Sequence, residues 1–260
     1  ARIVSWAHAG VDPSIMGTLF ERGLDPSKRS QLGAHYTDPD KIMMIVGPVI
    51  VEPLTREWEG VTAEIAAEYD KAKQARDARP LAQKDAAKFY QGQRQREENA
   101  IRRANKLWED FQTRLRDFRV LDPACGSGNF LYLALKALKD IELKANQDRE
   151  AMARDHGLAI GISAPVVGPE NMLGIEINPF AAELARVSVW IGEIQWMREH
   201  GLEASRNPIL KPLDTIRCHD ALLNEDGTEY EWPTADAIIG NPPFLGGKLL
   251  RDNLGDATVE

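Results

Sequence analysis

The stretch that most constrains the fold runs from residue 119 to residue 135 and reads RVLDPACGSGNFLYLAL. Its apolar start, Val120-Leu121, is typical of the end of a buried strand. The glycine turn at 126–128 lets a ligand approach the backbone, because glycine carries no side chain. Apolar residues then recur at helical spacing from Phe130 onward. A strand, a glycine turn and a helix in this order predict an open α/β sheet with its ligand at the turn. A short GxG motif is weak evidence for a ligand site by itself. The residues at the ends of the other strands are therefore needed to support such a site.

Composition sets the class of protein. With 260 residues, 43% of them hydrophobic, the chain can form one large domain, or a domain with an appendage, around a real core. It has no apolar run long enough to cross a membrane and no N-terminal leader pattern. Cys125 and Cys218 form no metal-ligand pattern, so we expect a reduced, cytoplasmic protein without a metal site. The net charge of −8 argues mildly against a stand-alone nucleic-acid binder. A first residue Ala1 and a last residue Glu260 lead us to expect a longer parent chain.

Helices are predicted in the part of the chain before the central strand. A short one covers residues 14–22. Another begins after Thr37 or Asp38, with Pro39 in its first turn, and Gly47-Pro48 should bend or break it.

An insertion is predicted from residue 55 to residue 118. Its charges are dense and mixed, and its apolar residues recur every three or four positions, which indicates two amphipathic helices joined near Arg79-Pro80. We therefore divide the chain into an N-terminal helical segment (1–54), an inserted helical hairpin (55–118) and the N-terminal part of a catalytic core (119–260).

Strands and helices alternate after the central motif. A long helix should extend to about Lys144, followed by a loop rich in glycine and proline. The predicted strands are 172–176, 215–218 and 237–239, and Asn178-Pro179 caps the helix after the first of them. Such alternation implies a mostly parallel sheet.

Each of the four strands is followed by residues suited to binding. These are Asp122 with its glycine turn, Glu176, Asp220, and the run Asn241-Pro242-Pro243-Phe244. Each has an ordinary explanation as a helix cap, a surface acid, a turn residue or a rigid loop. Ligands of open α/β sheets bind at this edge, so their joint occurrence in this order predicts one shared crevice.

This order of motifs resembles the DNA amino-methyltransferases that use S-adenosylmethionine. In that family DPACGSGNF is the cofactor loop and NPPF is the catalytic motif of adenine methylases. The order HYT, glycine loop, NPPF is similar to the gamma type. IMGTLFERGLDPSKRSQLGAHYT resembles the start of the methylase region of type IIG and IIL restriction-modification enzymes, and related methylases occur in phage defence. The resemblance implies a class I methyltransferase fold, a Rossmann-like and incomplete parallel sheet with the helical hairpin inserted.

The resemblance also implies the roles of individual residues. Asp122 accepts from the amino group of the cofactor, Glu176 takes the ribose hydroxyls, and Ile177 and Asp220 contact the adenine ring. The implied cofactor site consists of His35, Tyr36, Thr37, Asp122, Pro123, Ala124, Gly126, Gly128, Phe130, Glu176, Ile177, Asp220 and Ala221. The implied catalytic residues are Asn241, Pro242, Pro243 and Phe244. The target is double-stranded DNA, bound through a recognition region outside this chain, so the chain alone is expected to be a poor enzyme.

Two other classes stay open at this stage. Methylases of protein glutamine and some of ribosomal RNA share an Asn-Pro-Pro motif, although the HYT segment ahead of the glycine loop argues against both. A cofactor-binding fold used only for assembly is a third class, and the intact Asn241-Pro242-Pro243-Phe244 argues against it.

Overall fold

The computed structural model describes residues 37–78, 87–161, 163–202 and 212–242. The helix predicted at 14–22 lies outside this range, as do His35, Tyr36, Pro243 and Phe244. The chain divides into two compact units. The sheet unit comprises the described parts of 1–46, 119–136 and 169–260, and the helical unit comprises those of 47–118 and 137–168. The three-part division made from the sequence stays a prediction.

One parallel sheet forms the centre of the sheet unit. Its strands are β1 (Val120–Asp122), β2 (Met172–Glu176), β3 (Ile216–Cys218) and β4 (Ala237–Ile238), and their spatial order is β3-β2-β1-β4. Val120 is aligned with both Met172 and Ala237. This confirms the predicted parallel α/β sheet, and β3 and β4 are each one residue shorter than predicted.

The strand residues explain why the sheet forms here. Val120, Leu121, Met172 and Ile175 are fully buried. Strands covered on both faces read as continuous apolar runs, which is the pattern that the sequence shows. Gly174 lies in the middle of β2, and a Cβ placed there would be 3.0 Å from the Cys125 Sγ atom. A small residue at this point therefore allows the loop after β1 to pack on β2.

Helix α5 (Pro179–Glu199) carries the predicted cap. The Asn178 side chain accepts hydrogen bonds from the amides of Phe180 and Ala181, and Pro179 takes the first helical position. The helix ends where Gly201 adopts a φ of 69° and the Leu202 amide donates to the Met197 carbonyl over 2.8 Å.

Helix α1 (Pro39–Val46) begins as expected. Asp38 Oδ1 accepts a hydrogen bond from the Asp40 amide over 2.9 Å. At Gly47–Val51 the structure has a π-helical turn where the sequence predicted a bend or a break. Proline lacks an amide hydrogen, and a wider turn is one way for a helix to accommodate that loss.

Two long helices dominate the helical unit, α2 (Glu52–Asp77) and α3 (Ala87–Asp117). Three contacts fix their direction: the rings of Trp58 and Phe111 lie 4.9 Å apart, Arg103 binds Glu68, and Arg76 binds Glu97. Partner numbers fall along α3 as they rise along α2, so the helices are antiparallel. This confirms the predicted helical hairpin.

Helix α4 (Asn129–Asp155) runs about three turns beyond its predicted end near Lys144. Its later residues are polar in sequence, but tertiary packing buries Ala145, Arg149 and Ala153 in the helical unit. The Arg149 guanidinium lies 4.0 Å above the Trp108 ring. The helix stops where Gly157 adopts a φ of 64° and Leu158 donates back to Ala153. None of the helices in the described ranges is long and apolar enough to cross a membrane.

Candidate functional site

Four of the predicted binding residues lie at one edge of the sheet unit. Asp122 and Glu176 are the last residues of β1 and β2, Asp220 follows β3 by two positions, and Asn241 follows β4 by three. Because all four strands are parallel, their carboxyl ends lie along the same edge. The sheet therefore gathers residues from four separate segments of the chain into one region.

Glu176 connects the glycine turn to the next strand. Its Oε2 atom accepts a hydrogen bond from the Gly126 amide over 2.9 Å, and its Oε1 atom accepts one from the Asn178 amide over 2.8 Å. The backbone of Glu176 also accepts from the His219 amide over 3.1 Å. The carboxylate is thus held in a fixed direction by the turn after β1 and by the start of α5.

The two glycines of the turn have different reasons to be glycine. Gly126 has a φ of 52°, and a Cβ placed there would have no atom of the described residues within 4 Å, so its backbone conformation is what favours glycine. Gly128 has a φ of 86°, and a Cβ there would lie 2.8 Å from the Ala185 Cα atom. Gly128 is therefore also required for the close approach of this turn to α5.

Asp122 is a buried acid, only 1% exposed. Burial raises the pKa of its carboxyl from 3.8 to about 7; the hydrogen bond from the Ala124 amide opposes this rise, and the nearby charge of Glu176 adds to it. A buried carboxylate is costly to ionise, so this position favours a ligand that brings a positive group.

Gly240 brings the loop after β4 against Asp122. A Cβ placed on Gly240 would lie 2.6 Å from the Asp122 Oδ1 atom. A larger residue at 240 would push the loop away from the glycine-turn side of the site. Our sequence reasoning did not single out Gly240, although its place directly before Asn241 was a usable signal.

Asn241 reaches the segment that precedes α1. Its Nδ2 atom donates to the Thr37 Oγ1 atom over 3.3 Å, across 204 positions of sequence. The first and the last of the predicted motifs are therefore in contact. Pro242 is exposed beside Asn241.

Asp220 shapes the turn after β3. Its Oδ1 atom accepts hydrogen bonds from the amides of Leu222 and Leu223, at 2.8 and 3.2 Å. The residues that follow Asp220 line a cavity of about 560 Å³. Its lining residues are Ala221, Leu222, Glu229, Tyr230, Glu231 and Trp232.

Two aromatic residues of this cavity were missed at the sequence level. Trp232 donates its Nε1 hydrogen to the Ala221 carbonyl over 2.6 Å, and the Tyr230 ring stacks on His219 at 4.1 Å. Both lie in a polar segment that reads as an ordinary loop. The only signal was a tyrosine and a tryptophan two positions apart among acids.

The remaining predicted site residues differ in exposure. Ile177 is 63% exposed at the end of β2, which suits a residue that packs against a bound ring. Phe130 is nearly buried in the first turn of α4, while Pro123 and Ala124 are half-buried in the loop after β1. Phe130 therefore contributes mainly to the packing beneath the turn.

Cys125 is not placed as a nucleophile. Its side chain is buried, and burial together with the charges of Asp122 and Glu176 raises the pKa of the thiol well above its usual value. A thiol that stays protonated is a poor nucleophile. The environment of Cys125 instead suits a small side chain that packs in the interior.

Comparison with known proteins identifies the family. Residues 96–255 match the sequence model described as the DNA-methyltransferase domain of MmeI. The chain belongs to the MmeI methyltransferase-domain family. The matched region contains the glycine turn, all four strands and Asn241.

Several relatives of this MmeI-type chain are known. DNA methyltransferase A of Bacillus subtilis strain 168 is 28% identical over 258 residues, 95% of this chain but 23% of its own length. A Methanocaldococcus jannaschii protein, named as a candidate type II restriction enzyme and methyltransferase, is 24% identical over 82% of this chain and 16% of its own. This chain therefore spans less than a quarter of the length of either relative.

A solved structure of a restriction-modification enzyme of type IIL, MmeI in complex with DNA, is similar over 95% of this chain and 29% of its own. The TM-score is 0.60 and the identity is 25%. Together with the parallel sheet, this match shows that the MmeI-type chain has the class I methyltransferase fold.

Proposed function

We propose that this chain is the methyltransferase region of a longer restriction-modification or phage-defence enzyme that methylates the 6-amino group of adenine in DNA. The observation that carries the proposal is Asn241, whose amide lies after β4 at the edge where Glu176 holds the glycine turn. An amide acceptor beside a nucleotide-type cradle suits transfer to a planar amine. Membership of the MmeI family supports the proposal.

The residues at this edge fit S-adenosylmethionine, which when bound supplies an electrophilic methyl group. Asp122, whose carboxylate is buried, accepts from the cationic amino group of the methionine part. Gly126 and Gly128 leave room for the ligand beside the backbone. Glu176 takes both ribose hydroxyls. Each of its carboxylate oxygens accepts one backbone amide hydrogen bond and keeps a second lone pair for a hydroxyl.

The adenine end of the cofactor is assigned to the segment after β3. Ile177 packs on the ring, Asp220 accepts from its amino group, and Ala221 faces the cavity of about 560 Å³. The backbone near His35 and Tyr36 holds the carboxylate end, as the family resemblance implies. Pro123, Ala124 and Phe130 support the glycine turn.

The target base is handled by the residues after β4. Asn241 Oδ1 and the Pro242 carbonyl accept the two hydrogens of the exocyclic amine, which draws its nitrogen toward a tetrahedral shape and exposes a lone pair. Pro243 fixes the direction of that carbonyl, and Phe244 stacks on the base after it leaves the duplex. Acceptors placed before the reaction stabilise the developing positive charge on nitrogen.

DNA is the proposed partner, bound through a recognition region outside this chain, in the cytoplasm. The net charge of −8 gives this region little attraction for a phosphate backbone. Base reading is therefore assigned to other parts of the enzyme.

Parallel transfer assays separate this proposal from its alternatives. The full-length protein is incubated with tritiated S-adenosylmethionine and with unmethylated duplex DNA, protein or ribosomal RNA. We expect label in DNA alone. Label in protein glutamine or in RNA would replace the DNA assignment, and cofactor binding without transfer to any substrate would favour an assembly role.

A further inference from the structure

The contact between Thr37 and Asn241 has a consequence for the chemistry of the site. The amide of asparagine has one end that donates and one end that only accepts. In this structure Nδ2 is the atom that faces the Thr37 hydroxyl, at 3.3 Å. The oxygen, Oδ1, is therefore on the other side of the amide.

We propose that Thr37 is a positioning residue for Asn241. It engages the amide nitrogen and leaves the amide oxygen to accept a hydrogen from the target amine. This inference rests on the proposed function, because it concerns the orientation of the residue that acts on the base.

The backbone that leads to Asn241 is anchored, whereas the Asn241 side chain is exposed. The Ile239 amide donates to the Leu121 carbonyl over 2.9 Å, and Gly240 packs against Asp122. These contacts fix the backbone as far as Gly240, the residue before Asn241. Asn241 itself is exposed, so burial does not choose between its two amide orientations.

Thr37 is anchored from its own side. Asp38, the next residue, caps α1, and Ile42 and Val46 of that helix are fully buried. The hydroxyl is therefore presented from a fixed helix start. A hydrogen bond from Nδ2 also polarises the amide and strengthens Oδ1 as an acceptor.

The positioning role differs from a role in binding the cofactor carboxylate. A cofactor ligand at Thr37 would set the affinity for S-adenosylmethionine. A positioning residue would set the rate of transfer at saturating cofactor and DNA. Thr37→Val removes the hydroxyl and keeps the branched shape, whereas Thr37→Ser keeps the hydroxyl.

The experiment measures two quantities for the full-length protein and both variants: cofactor affinity by calorimetry, and kcat for transfer to unmethylated duplex DNA at saturating substrates. We expect Thr37→Val to lower kcat by about three- to tenfold, the effect of one neutral hydrogen bond, with cofactor affinity within about twofold. Thr37→Ser should restore kcat. Circular dichroism checks that each variant folds.

The outcomes distinguish the two claims. Unchanged kcat in Thr37→Val, or loss of cofactor affinity with kcat preserved at saturation, overturns the positioning role. Failure of Thr37→Ser to restore kcat does the same. Absence of transfer to DNA by the unmodified protein overturns the proposed function itself, and the inference with it.

Discussion

The carboxylate of Glu176 accepts a hydrogen bond from the amide of Gly126 over 2.9 Å, which joins the end of β2 to the glycine turn after β1. The same carboxylate binds the Asn178 amide at the start of α5. Glu176 is thereby oriented before any ligand arrives. A ligand that needs two acceptor oxygens meets them already in place, and little ordering is left for the moment of binding.

Replacing Glu176 should weaken cofactor binding. We expect Glu176→Ala to reduce the affinity for S-adenosylmethionine by about 1.5–3 kcal/mol, the usual effect of hydrogen bonds to a charged group. Glu176→Gln should also weaken cofactor binding. Its NH2 group would face the backbone amide of Gly126 or of Asn178, and two donors cannot form a hydrogen bond. Calorimetry measures both, with Glu225→Ala, an exposed acid after β3, as the control. Unchanged affinity in Glu176→Ala would remove Glu176 from the cofactor site.

Asp122 should make stability and cofactor binding depend on pH in opposite ways. Its pKa in the folded protein is about 7, above the ordinary 3.8. Between these values the folded state holds a proton that the unfolded state lacks, so this group lowers stability as pH rises toward 7. Cofactor affinity should rise over the same range, because the ionised carboxylate binds the amino group.

The variant Asp122→Asn tests this pair of effects. At pH 8 it should unfold with a free energy greater by a few kcal/mol, while at pH 4 the gain should nearly vanish. It should bind S-adenosylmethionine poorly at every pH. Urea unfolding and calorimetry give the two quantities, and Asp155→Asn serves as an exposed control. An Asp122→Asn variant that is less stable than the unmodified protein at pH 8 would contradict a stability cost from the ionised Asp122 carboxylate.

The two glycines of the turn should differ in their tolerance of alanine. Gly126→Ala should cost about 1–2 kcal/mol, the strain of a left-handed conformation. Gly128→Ala should cost roughly 1–3 kcal/mol more, because its Cβ would overlap the Ala185 backbone. Urea unfolding of both variants provides the comparison. Equal losses would mean that the approach of the turn to α5 is not tight.

The isolated 260-residue chain should methylate DNA poorly. Its net charge of −8 allows little counterion release on DNA, and it spans less than a third of the length of MmeI. In the described sheet β4 is the terminal strand next to β1, and its Ile238 is 55% exposed. Methyl transfer and solution mass should be measured together. A soluble monomer with efficient, site-specific methylation would refute this expectation.

Local patterns in the sequence predicted much of the fold. Buried strands read as apolar runs, as at Val120-Leu121. The pair Asn178-Pro179 predicted the start of α5. The acids at strand ends could be assigned to one edge because parallel strands share a direction. The strand and the cap depend on neighbouring residues alone, and the shared edge needs only the parallel direction of the strands, which is why one sequence was enough.

Features that depend on distant residues were not predictable. The extra turns of α4 are stabilised by burial of Arg149 over Trp108, which no local pattern shows. The closeness of Gly240 to Asp122 and of Thr37 to Asn241 depends on how the sheet orders its strands. The cavity beside Ala221 depends on Tyr230 and Trp232, whose polar surroundings read as a loop.

Nucleoside analysis of DNA, after incubation with the full-length protein and S-adenosylmethionine, decides whether the 6-amino group of adenine is the target. We expect N6-methyladenine with the unmodified protein and none with Asn241→Ala. This variant should still bind the cofactor in calorimetry, because Asn241 is proposed to act on the base. Methylcytosine in the product, or N6-methyladenine formed at an undiminished rate by Asn241→Ala, would contradict the proposed function.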